Sequence, residues 1–343
     1  MMAHGSDVTL QDVAKHAGVS LATASRVING SDRRVSGDLR ARVMASAESL
    51  RYVRNAYAQA LARSRTSIAG VLINDLAHPY FAAIARGIQR VAEQSGQFVL
   101  ICNSNRDPDR ELAYVQLLHE HRAATIIMAA SGNDDPTYVA RLEARLSAFV
   151  EGGGRTALIG RHLLDMPSVI PDNTGGMYAL TTHLLELGHR KIAVIGGVEH
   201  VTVTQDRLAG VRAALSEADL NLADAYLLPG TMRRDSAENA VAQIATRAIT
   251  PTALIALNDE MAVGALAALR RRKYRVPDDI SLVGFDDIPL AADLDPALTT
   301  VRLPLEEIGE RAMRLALTPE PARRPEIVPT QLIVRASSAP PAR

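Results

Sequence analysis

The sequence lacks tryptophan and contains one cysteine, Cys102. A single cysteine excludes an intrachain disulfide bond and is typical of a chain kept in a reducing cytoplasm. Cys102 follows a β-rich run, where a small core residue is far commoner than a nucleophile. Aromatic residues make up only 3% of the chain, so an aromatic surface over a ligand must come from eight Tyr and four Phe.

Long uncharged apolar runs are missing as well. The first residues, MMAHGSDVTLQDVAKHAG, contain no apolar stretch of the kind found in signal peptides. No run of about 18 apolar residues occurs anywhere, which is the length that a membrane-spanning helix needs. We therefore expect a cytoplasmic protein with no membrane contact.

The common enzyme motifs are absent too. Ile195-Gly196-Gly197 lacks the spacing of a dinucleotide-binding fingerprint, and no HExxH or GxSxG string occurs. His119 and His121 lie two residues apart, which directs them to different sides of a helix. We expect neither catalysis nor a cofactor nor a bound metal.

Charge is unevenly distributed along a chain whose formal net charge is zero. Residues 1–65 contain ten Lys and Arg against five Asp and Glu, so the remainder is acidic. A basic N-terminal piece predicts a polyanionic partner for that piece. The length of 343 residues suits two or three domains.

Residues 9–52 carry the pattern of a helix-turn-helix unit. Thr9 and Asp12 have capping-box spacing ahead of a first helix, and Gly18 can end it in the left-handed conformation. Ser20 can cap a second helix over residues 21–29, in which Val27 and Ile28 face inward. Ser36 can cap a third helix, whose apolar positions are Leu39, Val43, Met44, Ala47 and Leu50. Spacing alone leaves open an ordinary three-helix module that packs on the rest of the protein.

In a helix-turn-helix unit, the N-terminal residues of the second helix reach base edges in the major groove. Here these are Leu21, Ala22 and Arg26: the arginine can bind a guanine edge or a phosphate, and the other two can meet thymine methyl groups. Short hydroxyl side chains suit phosphates. The complete predicted set in this unit is Thr9, Ser20, Leu21, Ala22, Thr23, Ser25, Arg26 and Asn29.

After Arg65, short β-rich runs alternate with helical runs, as in parallel sheets built from βα units. A Pro- and Asp-rich segment, 161–173, is interpreted as a crossing between two α/β lobes. The expected strands are 68–73, 98–101, 125–128, 156–159, 192–195, 225–228, 253–256 and 281–283, with helices between them. The expected lobes are 66–161 with 303–320, and 162–288 with 323–338.

Open α/β sheets bind ligands at the carboxyl ends of their strands. The loops there contain Arg207, Asn258 and Asp286, which can donate to and accept from the hydroxyl groups of a ligand. Tyr80 and Phe81 could cover an apolar sugar face, although one of them could be cleft wall alone. Asp259 is interpreted as a helix N-cap and left out of the site, and Asp287 as a loop residue.

The string VTLQDVAKHAGVSLATASRVIN, residues 8–29, closely resembles the N-terminus of the lactose-repressor (LacI/GalR) family. Further matching segments occur in the family's order through almost the whole chain. They are Val35-Ser36, 50–55, 58–62, Asp172-Asn173, Gly188-His189, 207–210, Asn258-Asp259, 284–287 and 298–301.

The resemblance implies a headpiece, residues 1–62, followed by a two-lobed, periplasmic-binding-protein-like α/β body, residues 66–343. It also implies that residues 55–62 form a hinge helix that orders on operator DNA. There Asn55 and Ala58 contact DNA, and Leu61 wedges a base step from the minor groove. One departure is Arg54, where the family often has proline, so we leave open whether the hinge is ordered without DNA.

The resemblance further implies a homodimer on double-stranded operator DNA. Some members form tetramers through a C-terminal leucine heptad tail, and because the sequence shows none we expect a dimer. The expected function is a repressor of a carbohydrate-utilisation operon, released by a small sugar-like inducer. A corepressor-dependent, nucleobase-type regulator is the alternative. An exported solute-binding protein fits less well, because the headpiece is basic and no signal peptide is recognised.

Two departures from the family bear on the effector. Gly160 stands where many sugar-binding members carry Asp, and Leu303 where many carry Gln. We therefore expect a larger or less polar effector, or one that is held from Arg161 instead.

Overall fold

The structure is a computed structural model, and it describes residues 8–29, 35–53, 65–129, 131–223, 226–247 and 249–342. The chain forms two compact units, Met1–Thr66 and Ser67–Arg343. Within the described residues, no helix is long and apolar enough to span a bilayer.

The first unit contains the helices α1 (Leu10–Ala17), α2 (Leu21–Asn29) and α3 (Gly37–Ser49). Thr9 caps α1 in a reciprocal capping box with Asp12, as its spacing predicts. Gly18 adopts φ 63° and returns its N–H to the last carbonyls of α1, so the chain turns sharply into α2.

The core of this unit is small and built from one face of each helix. Val27 and Ile28 are buried, which confirms their predicted inward orientation. Met44, one of the apolar positions expected along α3, is 49% exposed, because Val43 and Ser46 occupy the buried side of α3. The buried apolar residues are Val13, Ala14, Ala17, Ala24, Val27, Ile28 and Val43.

The first lobe of the second unit is built on a six-stranded parallel sheet. Its strands are β1 (Ile68–Ile73), β2 (Phe98–Asn103), β3 (Thr125–Met128), β4 (Arg155–Ile159), β5 (Ser168–Pro171) and β11 (Glu326–Val328), in the order β11-β5-β4-β3-β1-β2. The helices of this lobe are α4 (Pro79–Gln94), α5 (Pro108–Glu120), α6 (Pro136–Glu151) and α12 (Leu305–Leu317). The continuously apolar β1 is almost wholly buried, as expected when helices cover both faces of a sheet.

The second lobe has a four-stranded parallel sheet in the order β7-β6-β8-β9. Its strands are β6 (Ile192–Ile195), β7 (Leu227–Leu228), β8 (Ala253–Ala256) and β9 (Ser281–Val283), and β10 (Thr300–Arg302) pairs antiparallel with β12 (Gln331–Ile333). Its helices are α7 (Asn173–Glu186), α8 (Thr202–Glu217), α9 (Arg234–Thr246), α10 (Asp259–Arg271) and α11 (Leu290–Asp293).

The expected lobe limits need correction at two strands. β5 pairs with β4, and β11 pairs with β5, so residues 168–171 and 326–328 belong to the first-lobe sheet. The sequence assigned both segments to the second lobe. Strands of three or four residues carry no readable periodicity, and their partners are distant in sequence. The chain therefore passes between the lobes after β5, after β10 and after β11.

Close helix packing holds α12 on the first lobe. A Cβ atom on Gly87 of α4 would lie 1.9 Å from the carbonyl oxygen of Glu306, and one on Gly309 would lie 2.2 Å from that of Ile84. Only glycine allows this approach of two backbones. The contact places residues 305–317 beside α4.

Candidate functional site

Helix α2 presents its N-terminal residues outward. Leu21 is 50% exposed, and Ala22 and Arg26 are exposed beside it. Thr23 and Ser25 are half-buried at the edge of this surface. The opposite side of the helix packs into the core described above. The residues predicted to read base edges therefore share one accessible surface.

The hydroxyl groups next to this surface cap helices. Ser20 Oγ accepts from the N–H of Thr23 at 3.1 Å and lies 2.9 Å from the Thr23 hydroxyl. Thr9 donates its hydroxyl to Asp12 at 2.7 Å, and these Thr9 hydrogen bonds lower the pKa of the Asp12 carboxyl. Thr9 and Ser20 thus have structural roles in addition to the DNA contacts predicted for them.

Several predicted contacts cannot be placed. The hinge residues Asn55, Ala58 and Leu61 lie outside the described residues, as does the side chain of Asn29. Their contact with DNA stays a prediction.

In the second unit, a cleft opens at the carboxyl ends of the parallel strands. Its outer part is a cavity of about 540 Å³, within the usual size range of small-molecule sites. Its inner part measures only about 30 Å³ and is lined by five predicted residues, Tyr80, Phe81, Arg207, Asn258 and Asp286. The structure thus brings five of the six predicted effector residues together.

Arg207 on α8 is the polar centre of the inner cavity, and it is 2% exposed. Its Nε donates to Asn173 Oδ1 at 3.0 Å, and its Nη2 donates to Asp286 Oδ1 at 2.8 Å. Nη1 donates to the carbonyl of Leu257 at 2.5 Å. The guanidinium carbon also lies 4.0 Å above the centre of the Phe285 ring, a cation–π arrangement. Three of the five N–H groups of this guanidinium are therefore used within the protein, and two remain for a ligand.

Asp286 follows β9 with a backbone φ of 117°, a conformation that non-glycine residues rarely adopt. Its N–H donates to the carbonyl of Val301 at 2.9 Å, which anchors the loop to β10. Burial raises the pKa of the Asp286 carboxyl, and the charge of Arg207 opposes that rise. Backbone strain of this kind is concentrated at functional sites.

The N-cap of α10 is Asn258 and not Asp259. Asn258 caps α10 by accepting from the N–H of Met261 at 2.9 Å, and it donates to the carbonyl of Met232 at 3.1 Å. The interpretation of Asp259 as the N-cap is therefore wrong. Asp259 is the first residue of α10 and accepts from Thr300 Oγ1 at 2.7 Å and from the N–H of Ile288 at 2.9 Å. One amide hydrogen of Asn258 remains for a ligand.

An aromatic wall bounds the inner cavity on the first-lobe side. The rings of Tyr80 and Phe81 meet edge-to-face with centroids 5.0 Å apart, and the His78 ring packs against both. His78 caps α4 by accepting from the N–H of Tyr80. Burial lowers the pKa of His78, which favours the neutral imidazole.

Arg161 is the predicted effector residue that does not line either part of the cleft. Its guanidinium forms an ion pair with Asp206 at 2.7 Å and donates to Gln205 Oε1 at 3.1 Å. The interaction links the segment after β4 to α8 of the other lobe. Arg161 therefore joins the two lobes.

Two residues at the cleft were missed by the sequence reasoning. Asn173 orients Arg207 and is buried, and it lies within the Asp172-Asn173 match that was not treated as a site. Arg106 lines both parts of the cleft from the loop after β2. The same inspection of strand ends that found Asp286 would have found Arg106, had it been applied to β2.

Gly160, where many family members carry Asp, has an unusual backbone conformation. Its φ is 89°, which an L-residue rarely adopts, and a Cβ atom there would meet nothing within 4 Å. The obstacle to a side chain at this position is conformational rather than steric.

Two sequence profiles match the chain. The profile of bacterial regulatory proteins of the lacI family matches residues 9–55. The profile of the periplasmic binding protein-like domain matches residues 181–338. The first match covers the helix-turn-helix unit, and the second covers most of the second lobe.

Individual proteins are similar over nearly the full length. The chain is 34% identical to the HTH-type transcriptional regulator DegA of Bacillus subtilis (strain 168), over 97% of this chain and 98% of DegA. The structure of the lac repressor dimer bound to operator and the anti-inducer ONPF is 26% identical, with TM-score 0.83 over 97% and 100% of the two chains. The complex of the transcriptional regulator CelR with cellobiose is 30% identical, with TM-score 0.69 over 96% and 100%.

Proposed function

Because this chain belongs to the lacI family of bacterial regulatory proteins, we propose that it represses transcription until a small effector binds its cleft. The observation that carries the proposal is the accessible surface of α2, where Leu21, Ala22 and Arg26 point away from the headpiece core. A Ser-capped second helix with this exposed N-terminal part has the geometry that enters a major groove. The protein acts where operator DNA is, in the cytoplasm, and catalyses no reaction.

The protein binds DNA as a homodimer, which is how the similar lac repressor is described. The edge strand β2 carries Phe98, which is 77% exposed, with Leu100 and Ile101 partly exposed beside it. Neighbouring exposed apolar side chains on an edge strand favour an interaction surface there. A second copy of the chain at this edge would bring two headpieces into one molecule, as the two half-sites of an imperfect palindrome require.

The effector is a hydroxyl-bearing small molecule, as is the cellobiose bound to the similar CelR. Arg207, Asn258 and Asp286 supply donors and acceptors at the closed end of the cleft, and Tyr80 and Phe81 supply an apolar wall. Asp286 Oδ1 is used by Arg207, whereas Oδ2 accepts no hydrogen bond from the described residues. We expect a ligand hydroxyl to donate to Oδ2.

Binding changes the distance between the lobes. The N–H of Thr202 donates to the carbonyl of Gly132 at 2.9 Å, and the N–H of Asp134 donates to the carbonyl of His200 at 3.0 Å, so the lobes touch at one side of the cleft. The inner cavity of about 30 Å³ accommodates little more than one water. A sugar-sized ligand therefore favours another lobe arrangement, and this difference in affinity shifts the population that binds operator DNA. The shift could either weaken or strengthen operator binding, so the effector could be an inducer or a corepressor.

The experiment begins by selecting operator fragments from genomic DNA with the full-length chain. The Kd for the selected fragment is then measured by fluorescence anisotropy at several salt concentrations. Arg26→Ala is expected to weaken operator binding about 10- to 100-fold and to reduce the preference over unrelated DNA. The matched control is Arg212→Ala, which removes an exposed arginine from α8 and should leave the Kd unchanged.

Two results would contradict the proposal. The first is a folded wild-type chain that selects no DNA fragment and binds DNA with no dependence on salt. The second is a fragment lacking residues 1–62 that still binds the operator.

A further inference from the structure

Arg106 has an unusual position in the cleft. It lies in the loop after β2 with a backbone φ of 62°, and its N–H donates to Ser104 Oγ at 3.3 Å. A non-glycine residue in the left-handed region carries a conformational cost that the surrounding structure must sustain. Here the loop directs the side chain toward the junction of three cavities.

These cavities meet at the Arg106 side chain. They are the outer cleft, the inner cavity beside Arg207 and Asp286, and a pocket of about 20 Å³ next to Tyr138. Among the residues that line these three spaces, Arg106 is common to all. A ligand that extends from the inner cavity to the outer one would lie beside Arg106, which lines both cavities together with His78 and Met232.

The guanidinium has no dedicated partner. Its Nη1 is buried and makes no hydrogen bond, and within the described residues no carboxylate lies within 4.0 Å of it. A buried donor without a partner costs free energy, and a buried charge costs more. The other cleft arginine, Arg207, has every nitrogen paired, whereas Arg106 is half-buried and has a buried nitrogen without a partner.

The nearest charges do not fill this gap. The carboxylates of Asp75 and Glu111 attract Arg106, and the guanidinium groups of Arg207 and Arg233 repel it. Asp75 accepts from the N–H of Ala77, and its other oxygen lies 3.9 Å from Arg233. Both carboxylates therefore have interactions of their own.

Glu111 is a weak counterion for a second reason. Its two oxygens accept from Ser104 at 3.0 Å and from the Tyr138 hydroxyl. Burial raises the pKa of the Glu111 carboxyl, which favours its neutral form. The charge of Arg106 is thus left to interact with what enters the cleft.

We propose that the effector is an anionic carbohydrate whose phosphate or carboxylate oxygen pairs with Arg106, while its hydroxyl groups face Arg207 and Asp286. This assignment rests on the proposed function and names the ligand class for the same cleft. A guanidinium matches the planar oxygen pair of a carboxylate or phosphate, and such charge-assisted hydrogen bonds are about twice as strong as neutral ones. A neutral sugar would leave the half-buried charge of Arg106 without a counterion.

The test compares full-length wild type with Arg106→Gln, Arg106→Lys and Arg110→Gln. Arg110 is exposed on α5 four residues away and serves as the matched control. The probes are inorganic phosphate, glucose 6-phosphate, glucuronate and glucose at constant ionic strength. Binding is measured by calorimetry and by the rise in Tm, and operator affinity without ligand is measured in parallel.

We expect phosphate to stabilise wild type and Arg110→Gln, and the anionic sugars to bind them more tightly than glucose. Arg106→Gln should weaken anion binding about tenfold or more, and Arg106→Lys should retain part of it. Tighter binding of glucose 6-phosphate than of glucuronate assigns a phosphate, and the reverse order assigns a carboxylate.

Equal anion binding by Arg106→Gln and wild type, or no stabilisation of wild type by any anion, would overturn the proposal. So would a neutral sugar that binds as tightly as its anionic counterparts. Measuring operator binding distinguishes a failure of the proposed effector class from a failure of the proposed function. If it persists while anion binding fails, the proposed function stands without this effector class, and if operator binding is absent, the proposed function fails whatever Arg106 binds.

Discussion

The guanidinium of Arg207 lies 2.8 Å from the carboxylate of Asp286, and both side chains are only 3% exposed. Both residues line the inner cavity of the cleft. Because both side chains are buried, each partner depends on the other to offset its desolvation. The effector must therefore bind beside an existing ion pair. It can use only the hydrogen-bonding positions that remain on Arg207 and Asp286, such as Asp286 Oδ2.

Arg207→Ala is expected to leave operator affinity intact but abolish the response to effector. It also removes the counterion of a buried carboxylate, which costs about 3–5 kcal/mol of unfolding free energy. Adding Asp286→Asn removes that charge, so the double variant should regain stability but not the response. Urea unfolding and effector titrations of the DNA complex measure the two effects separately. Loss of operator affinity with a surviving response would show that the pocket is assigned to the wrong residues.

The stability of the protein should fall as the pH rises through about 7. Burial first, and then the charge of Asp286, raise the pKa of the Asp259 carboxyl to about 7 in the folded protein, against 3.8 in the unfolded chain. The folded state therefore binds the extra proton between these values. The stabilisation that this proton gives the folded state is complete below the pKa of Asp259 in the unfolded chain. It is lost as the pH rises through the pKa of Asp259 in the folded protein, and its upper limit is about 4 kcal/mol.

Asp259→Asn checks this dependence. The amide can accept from Ile288 and donate to Thr300, as the protonated acid would. We expect the variant to lose most of the decline in Tm between about pH 5 and pH 8. Asp278→Asn, at an exposed position, should keep the decline of the wild type. An unchanged pH profile in Asp259→Asn would mean that another group titrates.

Gly160→Ala should destabilise the protein although the position has room for a side chain. The φ of 89° costs an L-residue about 1–2 kcal/mol. Gly96→Ala, at φ 70° with equally open surroundings, should show a similar loss. Gly37→Ala has the same open space and no positive φ, so we expect no loss there. Calorimetric unfolding measures all three, and equal effects at all three positions would contradict a conformational cause.

The helix-turn-helix unit was predictable because its signals are local. Thr9 and Asp12 are three residues apart, and Gly18 needs a left-handed backbone whatever surrounds it. The resemblance of residues 8–29 supplied the family and the fold class, both of which are confirmed. Met44 was misplaced, because an apolar residue on a short helix can face solvent when its neighbours fill the core.

The cleft was predictable at single strand ends but not as an assembled site. Arg207 and Asp286 were found because each follows a recognisable strand, and Arg106 was missed because the end of β2 was not inspected. Asn258 and Asp259 are adjacent, and only three-dimensional contacts show which of them caps the helix. The roles of Arg161 and Asn173 depend on partners more than 30 residues away.

Local patterns along the chain were sufficient for the type of protein, the headpiece and the alternation of strands and helices, since caps, turns and periodicity act over a few residues. The lobe limits, the ion pair of Arg207 with Asp286 and the unpaired charge of Arg106 depend on the folded chain. β5 and β11 show the reason, because each joins a sheet whose neighbouring strand comes from a distant part of the sequence. Burial and pairing are properties of what surrounds a side chain, and those surroundings form only when distant segments pack together.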